Sequence, residues 1–180
     1  MERQRYVASV SFGKDSLAML YKLITLGWPL DEVVYFNNGM EFQAIYDVRD
    51  QVLPDLKALG IPYTELSPQS PFLYDMLERP VKYRGKPGYH YGYGWCGGPC
   101  RWGTSEKLRA IRAYCGDATI YVGLAADEPQ RFEKCGYPNR SLPLVTWGME
   151  EADCLDYCYQ LGIRWMEDGG AGPVPRSEEH

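Results

Sequence analysis

The residues best suited to chemistry near the start of this chain lie in the turn between Ser11 and Ser16. Ser11 and Ser16 supply hydroxyl groups, Lys14 supplies a positive charge, and Gly13 lets the backbone approach a ligand. An apolar β-branched run precedes the turn, and apolar residues at helical spacing follow it. A strand, a turn and a helix in this order direct unpaired N–H groups and a helix dipole at one point, so the stretch predicts an anion site.

The anion site differs from a Walker A loop, which has a further glycine five residues before its Gly-Lys pair. Its candidate residues are Ser11, Phe12, Gly13, Lys14, Asp15 and Ser16. A lysine at a helix start opposes the dipole, which favours a ligand role for Lys14 over a merely solvated side chain. Asp15 can cap the helix, orient Lys14, or hold Mg²⁺ if the ligand is ATP.

Polar residues also follow the stretches at 32–36 and 118–124, which we predict to be the second and fourth strands. After the second strand, the candidate residues for contacting a nucleoside are Asn37, Asn38, Gly39 and Glu41; a plain strand-to-helix turn is the alternative. After the fourth strand, Arg131 can bind a phosphate or sulfate through two hydrogen bonds. The other candidate binding residues at that sheet edge are Gly123, Asp127 and Glu128. Lys134 and Arg140 could add positive charge beside Arg131. The alternative is a cluster of surface ion pairs.

The six cysteines form two pairs of interest. Cys96 and Cys100 lie in a Gly-rich turn, and Cys154 and Cys158 share one face of a predicted helix. Together the four thiols could hold Zn²⁺ or an iron–sulfur cluster, with Cys135 in reserve. Alternatively, the helical pair and Cys115 are core residues. If a thiol attacks a substrate, Cys96 or Cys100 is the candidate, with Arg101 favouring its thiolate.

Alternating strand and helix patterns place these residues in an α/β fold. We predict a three-layer, doubly wound, mostly parallel five-stranded sheet with helices on both faces. The first predicted strand begins at Val7, and the other four span 32–36, 61–66, 118–124 and 142–145. The predicted helices span 15–26, 43–59, 104–115 and 149–161. Pro54 predicts a kink or break in the second helix, and Thr104 is a candidate N-cap of the third.

Residues 67–103 interrupt the alternation. A short helix is expected near 72–77, and residues 83–95 are too rich in Gly and aromatic residues for a regular element. We interpret 67–103 as a lid or substrate loop whose rings could stack on a base while Arg84 or Lys86 contacts a phosphate. A Tyr-rich surface loop that packs on itself is the alternative.

Length and charge set further expectations. The 180 residues predict one domain over 1–165, followed by a frayed tail over 166–180. The net charge of −5 argues against a broad nucleic-acid surface and is compatible only with a local basic patch. No apolar stretch is long enough to span a bilayer and no secretion signal follows the N-terminus, so we expect a cytoplasmic protein with no membrane partner. A homodimer is compatible with this picture.

Four motifs in order resemble a known family. The turn at 11–16 resembles the SGGKDS pyrophosphate loop (PP-loop) of the adenine-nucleotide α-hydrolase-like, HUP-type superfamily, with Phe12 where that loop has Gly. The other three motifs are similar to segments of phosphoadenosine phosphosulfate (PAPS) reductases. Residues 35–42 resemble the ending of that family's second strand, and residues 123–131 resemble its G-x-R-x-D-E-S-x-x-R segment. Residues 143–153 resemble its P-L-x-x-W-x-x-x-D segment. The resemblance covers 5–162. It implies binding of an adenine nucleotide, namely PAPS, adenosine phosphosulfate (APS) or ATP, and sulfur metabolism, with a thioredoxin-like reductant as a partner.

The resemblance stops at the catalytic thiol. Thioredoxin-dependent PAPS reductases carry it in a C-terminal E-C-G-x-H segment, whereas this chain has no Cys after Cys158. The Cys-Cys and CxxC motifs of cluster-bearing relatives are missing too. The intact loop at 11–16 and the aromatic lid favour an enzyme acting on a sulfonucleotide or on ATP, whereas the missing thiol favours a noncatalytic role. The alternatives are a noncatalytic nucleotide-binding subunit or sensor that works with a partner protein, and an ATP-dependent adenylylating or thiolating enzyme.

Overall fold

The fold is built around a parallel sheet. The structure is a computed structural model that describes residues 3–93, 101–132, 138–167 and 170–171. The sheet has five strands: β1 (Tyr6–Ser9), β2 (Glu32–Phe36), β3 (Tyr63–Leu66), β6 (Thr119–Val122) and β7 (Arg140–Ser141). Their order across the sheet is β3-β2-β1-β6-β7. Every pairing among them is parallel, so their carboxyl ends lie at one edge.

Helices cover both faces of this sheet. They are α1 (Lys14–Thr25), α2 (Gln43–Ala58), α3 (Lys107–Cys115), α4 (Pro129–Phe132), α5 (Pro143–Thr146) and α6 (Glu151–Gln160). Apolar residues of α1, α2 and α6 share one core with Ala8 and Tyr35 of the sheet. Ile111 and Cys115 of α3 pack with Val7 and Val34 in a second core. Successive residues of a strand point to opposite faces, so two cores on one sheet make the predicted three-layer, doubly wound α/β fold.

Most long elements match the sequence prediction because their apolar periodicity is local. The strand at 32–36 is confirmed residue for residue, and it is buried along its whole length as a central parallel strand should be. The predicted break at Pro54 is wrong, since α2 continues through that residue. Buried Val52 and Leu56 lie on either side of Pro54, and their packing holds the helix across the one backbone N–H that proline lacks.

Two shorter elements differ from the prediction. The expected strand at 142–145 is wrong: β7 has only two residues and Pro143 then opens the one-turn helix α5, because its fixed φ suits the first position of a helix. Thr104 is not the N-cap of α3. A π-helical turn, π2 (Arg101–Glu106), precedes that helix, and Glu106 stands at the cap position.

The segment after β3 contains more regular structure than its composition predicts. A π-helical turn, π1 (Tyr74–Glu78), leads into an antiparallel hairpin of β4 (Pro80–Lys82) and β5 (Tyr89–Tyr91). The expectation that 83–95 holds no regular element is therefore wrong at β5. Gly85 and Gly88 both have positive φ, and they allow the chain to reverse between the two strands.

The chain folds back on the domain after α6. Ile163 and Trp165 are buried in the first core, and β8 (Met166–Glu167) pairs with β9 (Gly170–Ala171). The rest of the tail predicted at 166–180 lies outside the described residues. In the described part of the chain, no helix has the length and apolar character needed to cross a membrane.

Candidate functional site

The predicted anion site lies where β1 ends and α1 begins. The Ser16 hydroxyl donates to the Gly13 carbonyl (3.0 Å) and accepts from the Ser11 amide (3.1 Å), so the two serines hold the turn closed. Gly13 is the N-cap residue of α1 and no side chain caps this end. The first amides of an α-helix have no intrahelical acceptor, so those of Lys14, Asp15 and Ser16 are available to an anion.

Phe12 adopts a backbone conformation typical of glycine. Its φ is 60°, which costs an L residue roughly 1–2 kcal/mol, and its ring is fully buried. The ring packs edge-on against Tyr35, with centroids 5.1 Å apart. Trp165 Nε1 donates to the Phe12 carbonyl at 2.9 Å. Core packing and this hydrogen bond hold Phe12 in a conformation that glycine adopts without strain.

Gly123 brings a second loop against the same turn. A Cβ atom built at Gly123 would lie 2.7 Å from Ser16 Cα and 2.9 Å from Ser16 N, closer than real Cβ atoms approach backbone. Gly123 directly follows β6, which pairs with β1. Helices after β1 and before β6 cover opposite faces, so this is the topological switch point of the sheet, where open α/β folds bind ligands.

Lys14 lies between two carboxylates. Its Nζ is 2.7 Å from Asp15 Oδ1 and 3.0 Å from Glu151 Oε2, and its side chain is 12% exposed. Burial lowers the pKa of Lys14, but hydrogen bonds and charges from Asp15 and Glu151 outweigh burial and raise the pKa overall. The ammonium group is therefore charged and largely buried beside the first turn of α1.

Asp15 contacts Lys14 but does not cap α1. Burial raises the pKa of its carboxyl group, Lys14 opposes that shift, and the charges of Glu151 and Glu128 add to it. Of the roles predicted for Asp15, orientation of Lys14 has a direct contact in the structure. Within the described residues, no group of three His, Cys, Asp or Glu side chains is arranged to hold a metal, so the role of Asp15 with Mg²⁺ remains a prediction.

The charged residues that follow β6 are paired, either with one another or with the start of α6. Asp127 Oδ1 accepts from the backbone amide of Glu151 at 3.1 Å. Arg131 NH1 binds both carboxylate oxygens of Glu128, at 2.7 and 2.8 Å. The predicted phosphate contact of Arg131 would therefore have to compete with this ion pair. Arg140 forms part of β7, and Lys134 lies outside the described residues.

The predicted nucleoside residues after β2 form an internally bonded turn. The Asn37 side chain accepts from the Gly39 amide (2.9 Å) and donates to Glu65 (2.8 Å). Asn38 Oδ1 accepts from the Met40 amide at 2.7 Å, while Asn38 Nδ2 faces Glu41 Oε1 at 3.5 Å. These bonds fit the plain strand-to-helix turn, and the nucleoside contact remains a prediction.

The described cysteines are buried thiols. Cys154 and Cys158 are fully buried on α6, and Cys158 Sγ donates to the Lys14 carbonyl at 3.3 Å. Burial raises the pKa of Cys158 to about 12, and it raises that of Cys154 further. Burial also raises the pKa of Cys115, to about 11. The predicted catalytic or metal-binding residues Cys96 and Cys100, and Cys135, lie outside the described residues.

Two residues of the site escaped the sequence prediction. Glu151 lies in the first turn of α6, yet it binds Lys14 from 137 positions away along the chain. Trp165, at the last position of the predicted domain, supports Phe12 from across the core. Neither contact has a local signal, because periodicity and motif spacing report only on neighbours along the chain.

Comparison with known proteins supports the fold and leaves the family open. No protein-family model matches this chain, and no curated protein matches it. Among solved structures, the U34-tRNA thiolase NcsA from Methanococcus maripaludis, described with its 4Fe–4S cluster, aligns with a TM-score of 0.60 at 14% sequence identity. The alignment covers 98% of this chain and 62% of NcsA, so the chain spans less than two thirds of that neighbour. At this identity the likeness shows a shared fold, in agreement with the adenine nucleotide α-hydrolase-like architecture.

Proposed function

We propose that the chain binds an adenine nucleotide at the start of α1 and uses it as an ATP-dependent enzyme of the PP-loop type. The observation that carries the proposal is the position of the uncapped α1 amides and the buried Lys14 ammonium at the switch point of the sheet. An uncapped helix end with an adjacent ammonium group suits a polyphosphate, because amides and cation both stabilise its charge.

The reaction that fits is transfer of an adenylyl group. A nucleophilic oxygen of the substrate would attack the α-phosphorus of ATP, and the bond to the β-phosphate would break with release of pyrophosphate. Lys14 and the loop amides would bind the departing phosphates. Asp15 and Glu151 would keep Lys14 charged, and the phosphates would have to compete with these two carboxylates for its ammonium group. Mg²⁺ would accompany ATP and neutralise phosphate charge.

Sulfonucleotide reduction is the second candidate, favoured by the motif order from residue 11 to residue 153. It requires a nucleophilic thiolate, and the described thiols suit that role poorly because burial raises their pKa. Reduction of PAPS or APS would therefore depend on Cys96 or Cys100. Those cysteines are also the candidates for a zinc or iron–sulfur site, alone or with Cys154 and Cys158.

Calorimetric titration with ATP, APS and PAPS tests the proposal. We expect Lys14→Ala to weaken nucleotide binding roughly ten- to a hundredfold, since a charge-assisted hydrogen bond contributes about 1.5–3 kcal/mol. Lys22→Ala is the matched control, because Lys22 lies in the last turn of the same helix and contacts Met149 and Trp147 instead. If no nucleotide binds the wild-type protein, or Lys14→Ala binds as tightly as Lys22→Ala, the proposal is wrong.

A turnover assay separates the two candidate reactions. Pyrophosphate release from ATP in the presence of substrate supports adenylyl transfer, whereas sulfite release from PAPS or APS with thioredoxin supports reduction. Metal and iron analysis of protein purified without oxygen, compared between wild type and Cys96→Ser/Cys100→Ser, tests the metal or cluster site.

A further inference from the structure

One segment of this acidic chain carries only positive charge. Between Arg79 and Tyr93, here called the tyrosine hairpin, the sequence has four Lys or Arg residues, four tyrosines and no Asp or Glu. Its cations are Arg79, Lys82, Arg84 and Lys86, and its tyrosines are Tyr83, Tyr89, Tyr91 and Tyr93. The proposed nucleotide site uses none of these residues.

The pairing of β4 with β5 places several of these residues on one exposed face. Lys82 stands opposite Tyr89, and Pro80 opposite Tyr91, so the four side chains share a face of the two-stranded sheet. Tyr89 is 55% exposed and Tyr91 is 74% exposed, unusually high values for aromatic rings. Lys82 Nζ lies 6.0 Å from the Tyr89 ring centroid, so charge and ring stand side by side.

The turn of the hairpin adds two more exposed cations. Arg84 and Lys86 lie between the strands, and Lys86 Nζ is 4.2 Å from the centroid of the Tyr83 ring. Tyr83 in turn packs on His90, with ring centroids 5.3 Å apart. Among the residues that the structure describes, no carboxylate pairs with Lys82, Arg84 or Lys86.

The base of the hairpin is fixed to π1. Arg79 binds the buried carboxylate of Asp75 (Nε to Oδ1, 2.5 Å), and the Tyr93 amide donates to the Asp75 carbonyl (3.0 Å). Gly92 approaches π1 so closely that an added Cβ would lie 2.0 Å from the Met76 carbonyl oxygen. Arg79 therefore has a structural role, whereas Lys82, Arg84 and Lys86 lie on the exposed surface of the hairpin, where they can contact a ligand.

We propose that the tyrosine hairpin binds single-stranded nucleic acid. Exposed ring faces stack on unpaired bases, and adjacent cations bind the phosphates that link them. A duplex hides its base faces, so the aromatic face favours a single strand. The hairpin follows β3 along the chain, and the carboxyl end of β3 lies at the same sheet edge as the start of α1. The inference stands on the hairpin residues alone and does not depend on nucleotide binding.

Fluorescence anisotropy with labelled 12-residue RNA and DNA oligonucleotides, single-stranded or annealed, tests this proposal. We expect the wild-type protein to bind single strands at least tenfold more tightly than duplex. Tyr89→Ala/Tyr91→Ala should weaken single-strand binding at least tenfold, since each stacked ring contributes to affinity. Lys82→Ala/Arg84→Ala/Lys86→Ala should lower the slope of log affinity against log salt by about two, because each phosphate contact contributes about 0.7.

A second triple variant controls for net charge. Lys57→Ala/Arg109→Ala/Arg112→Ala removes three exposed cations from α2 and α3 and should leave oligonucleotide binding near wild type. Circular dichroism and thermal melting establish that each variant is folded. If single strands do not bind, if duplex binds equally well, or if the control triple weakens binding as much as the hairpin triple, the proposal is wrong. Binding of polyglutamate in place of oligonucleotide would overturn it in favour of an acidic protein partner.

Discussion

Gly123→Ala should displace the backbone of the proposed nucleotide site without removing any of the side chains assigned to it. The added Cβ would meet Ser16 Cα at 2.7 Å, Ser16 N at 2.9 Å and the Asp15 carbonyl carbon at 3.0 Å. All three are backbone atoms in the first turn of α1, so no side-chain rotation relieves the contact. Overpacking of this kind costs about 1–3 kcal/mol, and for a domain of this size about 2–4 °C in Tm per kcal/mol.

Nucleotide affinity should fall together with stability, since the displaced amides are those that the proposed site would use to bind phosphate. We expect a loss of at least tenfold in the ATP titration and a Tm several degrees lower. Gly148→Ala is the matched control: its φ of 64° makes alanine strained by about 1 kcal/mol, but no atom lies within 4 Å of the added Cβ. The control should lose stability and keep its affinity. A Gly123→Ala protein with wild-type Tm and affinity would refute the close approach of the two loops.

Three further predictions concern the core and its charges. Trp165→Phe removes the donor to the buried Phe12 carbonyl, so urea denaturation should show a loss of about 1–3 kcal/mol in the free energy of unfolding; an unchanged midpoint would contradict the role of Trp165. Hydrogen bonds from Thr64, Tyr114 and Arg5 outweigh burial and hold the pKa of Glu32 below its ordinary value. Glu32→Gln should therefore destabilise the protein by about 1–3 kcal/mol at pH 7, and the difference should shrink as pH falls from the unfolded pKa through the lowered pKa of the folded carboxyl group; a gap independent of pH would contradict this. Cys154 and Cys158 should resist iodoacetamide at pH 8 until the protein is unfolded, because burial keeps both as thiols, and peptide mass spectrometry that finds either rapidly modified in folded protein would disprove it.

The pH prediction depends on the direction of the Glu32 shift. A carboxyl group whose pKa is lower in the folded protein than in the unfolded chain binds fewer protons when folded, so its stabilising contribution is complete above the unfolded pKa. That contribution disappears as pH falls through the folded pKa. Glutamine cannot ionise, so the variant lacks this pH-dependent contribution and provides the baseline.

Several sequence predictions succeed because their causes are local. The β-branched run that became β2 and the apolar periodicity that became α1 and α6 depend on neighbours within a few residues. The errors occur where local signals conflict. At Pro54, tertiary packing on Val52 and Leu56 outweighed the missing N–H, and at 142–145 the proline geometry outweighed the apolar run.

The α/β alternation and the strand–turn–helix at 11–16 could be predicted from the sequence, since both follow from residue types within one strand, one turn and one helix. The neighbours of that turn come from the folded chain: Glu151 binds Lys14, Gly123 packs against Ser16, and Trp165 donates to the Phe12 carbonyl. These partners lie more than 100 positions apart along the chain. Parallel strands meet through long crossovers, so the folded sheet creates neighbours that no local pattern records.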